Sequence, residues 1–338
     1  MSGSGLGTIN STPNQSNSTK LVLLVNGVTY TRLSLVIPAC IQLLLCAIAL
    51  VAIARVRVLR SGQNIYIVNM IISDVLRAIV GLWLFIEALY EYDYGDKTAL
   101  PACQTLLFLW YWQFFWSMWG TVLISQSRHS TISNPLAAGV TTRKAVVTSA
   151  ITCLMGFVVA VPPLFTWAKY VIQYVLLHDG HFVAFCTLDL SNTANYLSFV
   201  LAHFGVSYWL PLAIVIYYLV KTLRLVIQNA VERRRLNALS SSGAEAEQST
   251  SSIYKSKALW YVISIVGSNT IFPAPFIIVM LVRSFRPVDP GAYTAAGFIF
   301  TLNFVVNSVL YCFWVRTLTR SLRDVFCCRK LRDVSVRN

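Results

Sequence analysis

The chain has 338 residues, of which 56% are hydrophobic and 12% charged, and it carries a formal net charge of +14. Soluble domains run at about 45–50% apolar and about 25% charged, so no water-soluble fold of this length could hide its apolar surface, and the same figures exclude a disordered chain. Eight cysteines are too few for a disulfide-held extracellular module, and no Cys-x-x-Cys or His-Glu-x-x-His pattern marks a metal enzyme.

Residues 1–32 hold three glycosylation sequons, at Asn10, Asn14 and Asn17, with Pro13 directly after the first. No charged-then-apolar leader precedes them, so the first apolar span is expected to act as its own insertion signal. A bilayer-crossing helix needs about 20 mainly apolar residues. Seven stretches qualify: 33–54, 64–90, 104–127, 145–167, 195–226, 258–282 and 292–315. A short basic turn joins the first two. The stretch from Glu232 to Ser252, rich in Ser, Ala and Glu, reads as a mobile loop between the fifth and sixth. After the seventh, residues 317–327 form a short amphipathic helix: Leu318, Leu322 and Phe326 face the bilayer, and Arg316, Arg320 and Arg323 lie near anionic inner lipids. Cys327 and Cys328 follow it, either as palmitoylation sites or as free cytosolic thiols. The expected organisation is a glycosylated outer segment over 1–32, a bundle over 33–316 and an inner helix and tail over 317–338. The fold class is an all-α membrane protein with seven transmembrane helices.

Charge sets the orientation. The alternate turns and the tail that share one side hold twenty Lys and Arg, from Arg55 to Arg337, whereas the other side holds six. Positive charge collects on the cytoplasmic side, which puts the amino terminus outside and the tail inside. The net charge therefore describes a membrane-facing inner surface and not a nucleic-acid binder. Cys103 and Cys186 are the two cysteines at the outer face, free to bridge in an oxidising compartment; Cys40, Cys46, Cys153 and Cys312 fall within spans as packing residues. Only Asp74 and Arg77 are charged deep in a span. Both sit on one helix, which is too little for the continuous polar path of a transporter or channel. An ionisable residue at that depth costs about 3 kcal/mol by insertion scales and needs a partner or a purpose. At a spacing of three the two can pair on one helix face; alternatively Arg77 turns upward to anchor an acidic ligand.

Several motifs follow one another at fixed intervals. Asn64, Asn69 and Asp74 lie in the second span, and Cys103 precedes Arg128 by 25 residues, with Pro135-Leu136 beyond. Pro211 lies in the fifth span, Pro273 and Pro275 in the sixth, and Asn307-Ser-Val-Leu-Tyr311 in the seventh. In order and spacing the chain resembles a rhodopsin-like (class A) G-protein-coupled receptor over about residues 33–325. The departures are those of a divergent member, of the kind met among orphan and virus-encoded receptors. Asp-Arg-Tyr reads Ser127-Arg128-His129, Asn-Pro-x-x-Tyr reads Asn-Ser-x-x-Tyr, and Cys46 and Cys153 fall near the usual first-helix Asn and fourth-helix Trp. The Trp usual before the sixth-helix proline is Ile271, or Pro273 if Pro275 is the matching proline.

The resemblance implies a non-enzymatic plasma-membrane receptor that signals to heterotrimeric G proteins. It implies a Cys103–Cys186 disulfide, G-protein engagement by Arg128 with Tyr311 as its partner after activation, and a sodium pocket of Asp74, Ser117, Asn303 and Asn307. Such a Na+ is the only cofactor implied. The ligand cavity is expected among Arg77, Trp110, Tyr111, Phe114 and His203, although each of these aromatics could equally pack the bundle. Trp110 stands where amine receptors carry an Asp, and the extra cysteines of chemokine receptors are absent, which argues against both ligand classes. With Ser127 uncharged and no acid over Ile253–Lys255, basal signalling is expected to be elevated; the rival is a non-signalling or scavenging receptor.

Overall fold

The computed structural model describes residues 36–51, 53–54, 62–89, 99–134, 140–162, 170–176, 182–188, 193–239, 263–286, 288 and 290–314. The sequons at Asn10, Asn14 and Asn17, Pro135-Leu136, the helix expected over 317–327, and Cys327 and Cys328 lie outside these residues. Among the described residues, seven long helices run in order: α1 (Val36–Val51), α2 (Gly62–Leu89), α3 (Ala99–Ser133), α4 (Thr142–Ala160), α5 (Thr193–Leu239), α6 (Ile263–Arg283) and α7 (Pro290–Trp314). Within them, Asn64–Trp83, Thr142–Ala160, Thr193–Glu232 and Ile263–Arg283 are each long and apolar enough to cross a membrane; α1 and α7 offer the shorter apolar runs Val36–Val51 and Ala295–Leu310.

α4 shows which solvent the bundle is built for. Thr141 caps it, its hydroxyl accepting from the Lys144 N–H at 3.3 Å. The helix then buries Ala145, Ser149, Thr152, Gly156 and Ala160, one small residue per turn, and exposes Val146, Val147, Ile151, Leu154, Met155, Phe157 and Val158. A helix in water would do the reverse. Small residues inward let backbones approach, and large apolar ones outward face lipid.

α3 is the hub, packed against α2, α4, α5 and the outer hairpin. Its side chains are aromatic around most of the circumference, as befits a helix enclosed on all sides. Trp112 donates to the Cys153 carbonyl at 2.9 Å and Trp116 to Asn69 Oδ1 at 2.9 Å, tying α3 to α4 and α2.

Two helices are irregular for a stated reason. α5 passes through a π-helical turn, Gly205–Trp209, where the Leu210 N–H reaches back to the Gly205 carbonyl. Pro211 follows, and its missing N–H disturbs the regular ladder there. α6 is interrupted at Phe272, directly before Pro273, and resumes as Pro273–Arg283.

One feature was not anticipated and one boundary needs correction. Between α4 and α5, β1 (Tyr170–Leu176) and β2 (Phe182–Leu188) form an antiparallel hairpin with Ile172 opposite Cys186. Val, Ile, Tyr and Phe favour strands, and Asp179-Gly180 between the two is a hairpin turn signal. The mobile stretch does not begin at Glu232, because α5 continues to Leu239 through Glu, Arg, Leu and Ala, all good helix formers.

A Cβ on Gly156 would stand 2.9 Å from Phe115 Cδ1, whereas one on Gly267 would meet nothing within 4 Å. Gly156→Leu should therefore push α4 off α3 and cost about 1–3 kcal/mol. Thermal unfolding in detergent should show a clear drop for Gly156→Leu and none for Gly267→Ala.

Candidate functional site

At mid-depth, α2 places Asp74 and Arg77 one turn apart, and both are essentially fully buried, at 0% and 2% exposure. Arg77 Nη1 lies 3.8 Å from Asp74 Oδ1, and Arg77 Nε donates to Gln113 Oε1 on α3. A lone charge here would be prohibitive; an opposed pair with an added hydrogen bond is tolerable. The guanidinium is thus directed at the carboxylate.

Between α3, α6 and α7 lies an amide network whose α6 member, Asn269, sequence reasoning missed. Asn269 Oδ1 accepts from Asn303 Nδ2 at 3.0 Å and from Asn307 Nδ2 at 3.1 Å, while Asn269 Nδ2 donates to Thr121 Oγ1 at 3.1 Å. Thr121 in turn donates to the Ser117 carbonyl at 3.2 Å, and Ser268 donates to Asn307 Oδ1 at 2.8 Å. Three of the expected sodium-pocket residues, Ser117, Asn303 and Asn307, are therefore linked through an α6 residue that the expectation did not include. The signal was present: Ser268-Asn269 is a polar pair inside an apolar span, and such residues join helices in lipid.

The aromatic residues expected at a ligand cavity are buried against one another. Tyr111 and Phe114 are 5% and 3% exposed and His203 is 2% exposed. Tyr111 and His203 meet edge to face at 4.6 Å, His203 stacks on Phe199 at 5.3 Å, and Phe114 lies 5.6 Å from Phe300. Ring–ring contacts of this kind, with apolar burial, pack α3 against α5 and α7. Of the five expected residues, Trp110 and Arg77 line a small cleft among the described residues.

At the inner end of α3, Arg128 is half-buried and Ser127 is buried, with no hydrogen-bond partner for its hydroxyl. His129 Nδ1 lies 3.3 Å from Thr222 Oγ1, and its ring faces Tyr218 on α5. Burial, and then the Lys221 charge, hold the His129 pKa below the usual histidine value. Tyr311 belongs to α7, but its side chain lies outside those described. At the outer end Cys103 is buried and disulfide-bonded. Cys186 lies on β2, which packs on α3; its side chain too is outside those described. Cys46 and Cys153 are free thiols, and Cys46 Sγ lies 3.6 Å from Ser308 Oγ on α7.

The family profile of the seven-transmembrane receptors (rhodopsin family) matches residues 46–311, from α1 to the end of α7. The chain belongs to that family. It is a multi-pass membrane receptor and not an enzyme. A compound eye opsin of Hemigrapsus sanguineus is 26% identical over 227 residues, 60% of this chain and 55% of that protein. A blue-sensitive opsin of Gallus gallus is 28% identical over 197 residues, 57% and 52% of the two chains. The receptor thus spans about half the length of these curated relatives. The crystal structure of squid rhodopsin superposes with a TM-score of 0.70 at 18% identity, over 90% of this chain and 87% of that one, which shows a shared fold.

Replacing Asn269 by Leu would strip partners from Asn303, Asn307 and Thr121 together, at about 1–3 kcal/mol for each group left unmet. Asn269→Leu should lower the thermal midpoint in detergent more than Ile265→Val, a change to a buried apolar residue of the same helix.

Proposed function

We propose that this receptor lies in the plasma membrane, amino terminus outside, and passes an extracellular signal to heterotrimeric G proteins. The reading rests on the family match across α1 to α7 together with Arg128 at the inner end of α3, which packs against α5. Arg128 would engage the G protein, and Tyr311 would meet it after activation. Ser127 offers no charge to hold the guanidinium at rest, so the gap between resting and active packings narrows; about 1.4 kcal/mol changes their ratio tenfold. Elevated basal output follows.

At the outer face the proposal joins Cys186 to Cys103, supported by the bonded state of Cys103 and the packing of β2 on α3. Glycans at Asn10, Asn14 and Asn17 and palmitates at Cys327 and Cys328 agree with this orientation. A sodium ion on Asp74, Ser117, Asn303 and Asn307 would have to share the carboxylate with a guanidinium 3.8 Å away. Like charges oppose that, so Arg77 is the resting counter-ion and sodium enters only when Arg77 turns aside.

The opsins among the relatives raise retinal, held as a Schiff base on a lysine amine. Of the eight lysines, Lys20, Lys97, Lys144, Lys169, Lys255, Lys257 and Lys330 lie outside the seven expected spans, Lys221 lies near the inner end of the fifth, and α7 has none. The donor set does not fit a covalent retinal inside the bundle.

Agonist-free second-messenger assays at matched surface level test the proposal. Wild type should exceed vector, Arg128→Ala should fall to vector level, and Ser127→Asp should lower output several-fold. A silent wild type indistinguishable from Arg128→Ala would favour the non-signalling or scavenging reading.

A further inference from the structure

The inner ends of α4 and α5 carry two cations that no carboxylate answers. α3 and α4 contain no Asp or Glu, and α5 has none before Glu232. Arg143, in the first turn of α4, and Lys221, on α5, are both exposed, and neither pairs with a carboxylate among the described residues. Lys221 lies within the apolar run Thr193–Glu232, which places its ammonium at the bilayer edge and not in open water. An ionisable group there needs a partner. Long basic side chains usually turn their heads to water. Here Nζ lies 4.7 Å over the ring of Tyr217, one turn nearer the bilayer centre.

The two cations flank one groove. α3 packs on both α4 and α5, which do not pack on each other to a comparable extent. Toward its inner end α3 is no longer enclosed: Gln126 and Ser130 are exposed. They share a helix face with Trp119, whose indole reaches the Val206 carbonyl of α5 at 3.2 Å. Phe115, stacked on Trp119, lies against Gly156 of α4, so this face looks out between the two neighbours. On α4, the Tyr66 hydroxyl lies 3.0 Å from Thr148 Oγ1 and marks the flank toward α2. Lys144, one turn before Thr148, shares that flank. Arg143, Val146 and Ala150 recur on the other flank, which ends at Phe157 against Phe108 and Trp112. On α5, Ile214 packs with Trp119 around Val122, and Lys221, two turns further, is close enough to α3 for its charge to act on His129. The groove therefore has a cationic, polar inner end and an apolar body.

We propose that this groove seats one anionic phospholipid, its phosphate between Arg143 and Lys221 with the Gln126 amide as a further donor. An acyl chain lies along Trp119, Val146 and Ile214. Phosphate oxygens accept from a guanidinium, an ammonium and an amide together, and an anionic leaflet supplies them where cations stand at the membrane edge. A choline headgroup is disfavoured, because its own cation would oppose Arg143 and Lys221. The inner leaflet as the source rests on the orientation proposed above, whereas the binding itself does not.

The test titrates the full chain in detergent micelles with phosphatidylserine or phosphatidylcholine and counts bound lipid by native mass spectrometry. Phosphatidylserine should bind wild type about tenfold more tightly than phosphatidylcholine. Arg143→Gln or Lys221→Gln should each weaken phosphatidylserine binding several-fold, and the double variant should lose the preference. These side chains are exposed, so the thermal midpoints of the variants should stay at the wild-type value. Lys144→Gln removes the same charge from the neighbouring residue on the α2 flank and should bind as wild type does. Equal binding of the two lipids to wild type would overturn the proposal. So would equal losses in Lys144→Gln and Arg143→Gln, which mark a diffuse surface potential and no seat. Neither orientation nor a G protein enters this readout, so lipid preference without second-messenger output would fault the receptor reading alone.

Discussion

Hydrocarbon offers no hydrogen-bond partner, so every polar group inside this bundle must be met by another. The rest of the structure follows from that constraint. Helices are the only elements among the described residues at bilayer depth, and hydroxyls along them return to their own backbone: Ser125 to the Thr121 carbonyl at 2.9 Å, and Thr152 to the Thr148 carbonyl at 2.6 Å. The two charges that enter the interior do so one turn apart. Side chains with more donors than a single helix can satisfy reach across to a neighbour, and those crossings set which helices stand together. α3 collects most of them because its indoles present a donor at the end of a large apolar body.

The crossings are unequal. α2, α3 and α4 are held by broad packing around Gly120, Gly156 and the α3 indoles, where a Cβ on Gly120 would collide with the Met70 sulfur. α6 is held differently. It meets α5 through the Tyr208 hydroxyl on the Thr270 carbonyl at 2.9 Å and the Tyr196 hydroxyl on the Met280 carbonyl at 3.3 Å, and it meets α3 and α7 through Asn269. Its ladder lacks a donor at Pro273, although the Phe272 N–H still reaches the Ser268 carbonyl at 3.2 Å, and the facing turn of α5 is π-helical. Apolar packing acts beside these bonds, since Ile277 and Met280 of α6 are buried in one cluster with Phe114, Tyr208 and Phe300.

Much of this was legible in the sequence, for physical reasons. Spans read well because burial in lipid needs length and apolarity, which are local properties. An orientation could be assigned because Lys and Arg sort by side. Asp74 and Arg77 stood out because charge in a span is rare, and the spacing of three already allowed the pair. Other features depended on partners far along the chain. Asn269 gains its meaning from Asn303, Asn307 and Thr121, which no local pattern connects. The aromatics at Tyr111, Phe114 and His203 meet Phe199 and Phe300, contacts that no local pattern connects. The outer hairpin was overlooked because its strands are short and neighbour apolar spans, so alternating residues such as Val171, Gln173 and Val175 were read as connection. At α5, Pro211 announced an irregularity but not its π-helical form.

If the Asp74–Arg77 contact is the polar centre that the bundle depends on, the two residues must be energetically coupled. A thermal-stability double-mutant cycle with Asp74→Asn, Arg77→Gln and both together measures that coupling directly. Each single change strands one buried charge, at about 3–5 kcal/mol, whereas removing both charges leaves an amide pair of similar size and restores most of the loss. A double variant clearly more stable than the Arg77→Gln single is the predicted result; losses that simply add would contradict it.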